Sequence, residues 1–118
     1  MANAGTPIRS VRWAGAAGKT AVVEVNGDID LQRSKDFQRG LTALFEGAPK
    51  GIVLDLSGVP YMDSSGVASL VKLLSRVRRE RISLRLAGLT ARVRSVFETT
   101  RLDAVFDIFP TPQEALEA

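Results

Sequence analysis

The sequence predicts an α/β fold: a small mixed sheet of about five strands, mostly parallel after an initial hairpin, packed with about four helices. Three observations carry that expectation. Short β-branched runs recur along the chain, segments of helical period separate them, and a glycine, proline or capping residue marks most junctions. At 118 residues and 45% hydrophobic, the chain has apolar material for one core, so a single domain over residues 1–118 is expected.

The elements follow in order. "PIRSVRWAG" sets Val11 and Trp13 on one side of an extended segment, and "KTAVVEVNG" is rich in β-branched residues. The intervening "AGAAG" reads as a turn, so the two form a hairpin. Phe37, Leu41, Leu44 and Phe45 then fall at i, i+4, i+7 and i+8, a helix that Gly47 and Pro49 stop. "IVLDL" is a short apolar run suited to a strand covered on both faces.

After "MDSSG", Val67, Leu70, Val71, Leu74 and Val77 mark one stripe of a second helix. Its solvent face is expected to carry Ala68, Ser69, Lys72, Ser75, Arg76 and Arg79. "ISLRLAG" alternates as a strand, Thr90 caps a helix bearing Val93, Val96 and Phe97, and "AVFDIF" is a last extended stretch. Thr111, Pro112 and Glu114 are the cap, first turn and capping-box acid of a terminal helix. The order ββαβαβαβα implies parallel neighbours joined by right-handed crossovers.

Composition removes several chemistries. The chain has no cysteine and no histidine, hence no disulfide, no thiolate and none of the commonest general base or metal ligand. No apolar run is long enough to span a bilayer, and "MANAGTPIRS" lacks the pattern of a secretory signal, so a cytoplasmic protein is expected. The net charge of +3 is uneven. Lys72, Arg76, Arg78, Arg79, Arg81, Arg85, Arg92, Arg94 and Arg101 face only Glu80 and Glu98 in the same stretch. Such a run is ordinarily a solvated face; with one Trp and one Tyr for stacking and no docking motif, nucleic-acid binding is not expected.

Motif by motif, enzyme readings fail. "GKT" at Gly18–Thr20 lacks the upstream glycine of a phosphate loop, since Trp13 stands there, and a strand follows it. Ser64 sits at a strand-to-helix junction like a hydrolase nucleophile, but Met62 replaces the elbow glycine and no histidine can activate the hydroxyl. Asp28, Asp30 and Asp63 follow no metal-loop pattern, so neither metal nor cofactor is expected. "DSSG" is then a helix cap, through Asp63 or Ser64, or a site of modification.

"GDID" at Gly27–Asp30, with "VLDLSGVPYMDSSGVASLV" some thirty residues later, resembles the STAS domain family, most closely its anti-sigma factor antagonists. The likeness extends through "LRLAGLTARVRSVFETTRLDAVFDIF" and spans nearly the whole chain. It implies that Ser64, directly after the aspartate, is phosphorylated by a serine-kinase anti-sigma factor, with Ser65 the second candidate. It implies that the unmodified protein holds that anti-sigma factor and that a phosphatase resets the cycle. Asp30 and Asp63 match acidic residues near the acceptor. An expected partner surface joins Asp30, Asp63, Ser65, Gly66, Ala68, Ser69, Lys72 and Arg76. A phosphate on Ser64 is expected to meet free N–H groups at the helix start.

Two departures stand out: Gly66-Val67-Ala68 replaces the family's frequent "GLG", and "RRERIS" replaces a glycine-rich loop. A second reading within the family is an accessory subunit of a lipid-transporting ABC system, its basic stretch near anionic lipid at the inner membrane face. Without coiled-coil heptads, a monomer is expected.

Overall fold

The computed structural model describes residues 6–118; the reading of the N-terminal leader falls partly on residues 1–5, outside the described residues. Strands β1 (Ile8–Ala14) and β2 (Thr20–Asn26) form the antiparallel hairpin. Strands β3 (Gly51–Gly58), β4 (Ser83–Ala87) and β5 (Asp107–Phe109) follow in parallel, giving the order β1-β2-β3-β4-β5. Helices α1 (Leu31–Ala43), α2 (Ser64–Glu80), α3 (Ala91–Thr99) and α4 (Pro112–Glu117) connect and close them. Among the described residues no helix is long and apolar enough to cross a membrane.

Alternation within the strands sorts residues to two faces. Val23, Val25, Ile52, Leu54, Leu84 and Leu86 point into the larger core with Phe37, Leu70 and Phe97 from α1, α2 and α3. Val22, Val53 and Ala87 point the other way and are covered by Ala115 and Leu116 of α4. β3 is thus apolar on both faces, as "IVLDL" predicts. β1, at a sheet edge, leaves Val11 and Trp13 exposed.

The caps agree with the sequence in kind. Thr90 accepts from the Val93 N–H, and Thr111 from the Glu114 N–H. α1 ends at Ala43, and a 3-10 turn over Leu44–Gly47 carries Leu44 and Phe45. The last extended stretch is shorter than read: residues 102–104 form a 3-10 turn and only Asp107–Phe109 pair with β4.

The face that α2 buries differs from the expectation. Gly66, Ser69, Leu70, Leu73 and Val77 are buried, Val67 and Leu74 are partly so, and Val71 is 42% exposed. Apolar letters alone rotate the stripe toward Val71, because the true face includes a glycine and a serine. Ser69 tolerates burial because its hydroxyl donates to the Ser65 carbonyl at 3.1 Å and accepts from Gln38 Nε2 of α1 at 3.0 Å. Gly66 lets α2 approach the first loop: a Cβ there would lie 2.6 Å from Met62 Cγ and 2.8 Å from Ile29 Cγ2.

At the far end of α2, Arg81 takes φ 59°, a left-handed cap that glycine adopts at lower cost. The Ile82 N–H closes that cap on the Val77 carbonyl at 2.8 Å. Two stability changes follow. Gly66→Ala is expected to lower unfolding free energy in urea by about 1–3 kcal/mol through overpacking. Arg81→Gly is expected to raise it by roughly 0.5–1 kcal/mol, and an unchanged or lower midpoint would refute the cap argument.

Candidate functional site

Because β2, β3 and β4 run parallel, the starts of α1, α2 and α3 gather at one end of the sheet, where open α/β sheets place their sites. The loop 27–30 and the loop 59–63 are laced together by backbone bonds. The Gly27 N–H donates to the Gly58 carbonyl at 2.8 Å, Ile29 to Tyr61 at 2.9 Å, and Asp63 to Ile29 at 3.1 Å. Ile29 and Met62 pair as an isolated parallel bridge, and both are buried. On the other side, Thr90 Oγ1 donates to the Val59 carbonyl at 3.1 Å.

Asp63 is the junction of the site. Its Oδ1 accepts from the Ser65 N–H at 2.8 Å and the Gly66 N–H at 3.4 Å, capping α2. Its Oδ2 accepts from the Leu31 N–H at 3.2 Å, at the start of α1. Burial pushes the carboxyl pKa up. The Ser65 hydroxyl and the Ser65, Gly66 and Leu31 N–H groups outweigh that and hold it below the ordinary aspartate value. Asp30 caps α1 through the Arg33 N–H at 3.0 Å. The Arg33 guanidinium reaches back to the Asp28 carbonyl at 2.5 Å and the Asn26 carbonyl at 3.3 Å, bracing the first loop.

The two serines are not equivalent. Ser64, the first residue of α2, is exposed, and its hydroxyl has no hydrogen-bond partner among the described residues. Ser65 is half-buried and its hydroxyl is engaged by Asp63. The expectation of free N–H groups waiting for a phosphate needs correction. Those of Ser65 and Gly66 already bind Asp63, and that of Val67 binds the Asp63 carbonyl.

Of the expected surface residues, Ala68 and Lys72 are exposed as read. Arg76 is half-buried, its guanidinium 3.7 Å above the Phe45 ring and its Nε 2.8 Å from Glu80. Ser69 is only 1% exposed and is withdrawn from that face; Gly66 is likewise buried, against Ile29 and Met62. Sequence reasoning missed two exposed apolar residues at this end of the sheet: Leu31, 75% exposed, whose N–H binds Asp63, and Tyr61, which lies under Arg92 at 5.1 Å. An apolar first residue on α1 was the available signal for Leu31; nothing in the pattern announced the Arg33 brace.

The fold and this site define a small α/β domain whose polar chemistry sits at capped, interlaced helix starts. The chain belongs to the STAS domain family, which it matches over residues 15–115. It is 29% identical over 80 residues to an anti-sigma-B factor antagonist of Staphylococcus aureus, covering 68% of this chain and 74% of that one. The crystal structure of an anti-sigma factor antagonist from Mycobacterium paratuberculosis superposes with a TM-score of 0.73 at 22% identity, covering 92% of this chain and 94% of that one. The phosphorylated form of the Bacillus cell fate determinant SpoIIAA gives 0.67 at 22% identity, covering 92% and 97%. These two structures share the fold.

Asp63→Ala is expected to cost about 1–3 kcal/mol, more than an ordinary cap, because one carboxylate serves two helices. Since the folded pKa lies below the unfolded one, the Asp63 contribution is complete above about pH 4 and disappears as pH falls through the folded value. Denaturation of the native protein and Asp63→Asn across pH 2–6 would show the gap between them narrowing toward acid.

Proposed function

We propose that this chain is an anti-sigma factor antagonist, a protein-binding switch set by phosphorylation of Ser64. One observation carries the choice of acceptor: the Ser64 hydroxyl is exposed and unpartnered while its neighbour's is held by Asp63. A nucleophile must be free to enter a kinase site in line with the γ-phosphate of ATP. Transfer forms the bond from Ser64 Oγ to phosphorus and releases ADP, and the hydroxyl proton leaves to a base. Asp63, held acidic by its N–H donors, is a poor acceptor for that proton, so the base belongs to the kinase. The kinase is a serine-kinase anti-sigma factor, which the unmodified protein sequesters; a phosphatase removes the group.

The electrostatics support release without unfolding. The new group brings about −1.5 to −2 charges next to the Asp63 carboxylate, whose N–H partners are already occupied. The α2 dipole offsets only about 0.3–1 kcal/mol of that at an exposed site. The charge therefore acts at the contact surface, where like-charge juxtaposition costs several kcal/mol and each 1.4 kcal/mol is tenfold in affinity. Ser64, Leu31, Tyr61, Ala68, Val71 and Lys72 are the exposed residues we assign to that surface.

The test mixes the protein with kinase-like anti-sigma factors of its own organism and ATP. Mass spectrometry is expected to find phosphate on Ser64 and none on the Ser64→Ala protein. Ser64→Asp is expected to melt within a few degrees of the native protein yet bind the cognate anti-sigma factor at least about tenfold more weakly. Phosphate on Ser65 alone, or undiminished binding by the aspartate variant, would overturn the assignment.

A further inference from the structure

β1 ends the sheet, and β2 is its one strand neighbour among the described residues. From Ser10 to Ala14 it pairs with Glu24 to Thr20 in unbroken register, and no backbone hydrogen bond from a loop or cap reaches its far side. The register also sorts its side chains. Val11 and Trp13 stand opposite Val23 and Ala21, on the side of the larger core, and are 40% and 42% exposed. The indole is firmly seated, since a Cβ on Gly47 would lie 2.5 Å from its Cζ2. Ser10 and Arg12 stand opposite Glu24 and Val22, on the α4 side. Glu24, the one acid of the hairpin, accepts from the Ser10 hydroxyl at 3.0 Å. Arg12 has neither an ion pair nor a hydrogen bond among the described residues.

We infer that β1 is a docking edge for an extended segment of a partner protein in which acidic and apolar residues alternate. An added strand takes up the outward peptide groups, and its side chains fall alternately on the two faces. Those beside Val11 and Trp13 meet apolar surface already held in place. Those beside Arg12 meet an uncompensated positive charge, for which a carboxylate is the complement. A second copy of this chain is the poorer occupant. Two β1 edges would bring Arg9 and Arg12 of both chains together, with no acid on either strand. None of these residues belongs to the surface assigned around Ser64, so the edge stands or falls independently of the proposed switch.

The test is an NMR titration of the full chain at low salt with end-blocked peptides the length of β1. A peptide alternating glutamate and valine is expected to give saturable shifts at residues 9–14, slowed amide exchange along β1 and a Kd at or below about 1 mM. Arg12→Glu, checked for an unchanged fold by its spectrum and melting, is expected to weaken that peptide at least about threefold and to strengthen one alternating lysine and valine. Equal binding of the lysine peptide by the native protein would overturn the requirement for acid, and equal binding of a glutamate–serine peptide the requirement for apolar residues. Equal binding of the same glutamates and valines grouped in two blocks would overturn the strand geometry. Self-association through residues 9–14 without peptide would assign the edge to a second copy instead. Unsaturable shifts, or binding unaffected by Arg12→Glu, would overturn the site itself.

Discussion

The Asp63 carboxylate holds N–H groups from two helices at once, Ser65 and Gly66 of α2 and Leu31 of α1. Without it, these N–H groups at the two helix starts would have no side-chain acceptor. One side chain therefore caps α2, ties the first loop to the second, and fixes the height at which Ser64 emerges. The parallel bridge between Ile29 and Met62 and the missing Cβ at Gly66 bring the backbones close enough for that carboxylate to reach both. The same arrangement takes up the donors of Ser65 and Gly66, so under the proposed switch a phosphate on Ser64 would add charge at the surface and find little shelter in the fold.

Much of the architecture is legible from local chemistry. Alternation in "ISLRLAG", the apolar run of β3, and the hydroxyl caps Thr90 and Thr111 are each decided by residues within a few positions of one another. The hidden part depends on contacts across the fold. Asp63 and Leu31 are 32 residues apart, and no periodicity connects them. Apolar letters alone misplace the α2 face because its buried positions include Gly66 and Ser69, residues that count as polar or neutral in a pattern but are accommodated by close approach and by Gln38. Ser64 and Ser65 cannot be distinguished in one dimension; their difference arises because Asp63 points at the second of them.

Within the family frame, the two departures in the sequence acquire physical content. Ala68 in place of the frequent glycine stays exposed, so its methyl is accommodated without disturbing the core. The "RRERIS" loop does the work of a glycine-rich turn by placing Arg81 in the left-handed region, with the turn closed by Ile82 and Val77. The geometry is kept although the residue best suited to it is absent, and the strained Arg81 sits at the end of α2 opposite Ser64.

β1 lies at the rim of the sheet with Arg9, Arg12 and Trp13 exposed along it. Its outward row of peptide groups is an invitation to another strand, and the guanidinium fringe is what discourages acceptance. That protection is only as strong as the ionic screening around it, so concentrated salt, which leaves the indole's stickiness intact, would lower the guard and favour rim-to-rim pairing of molecules.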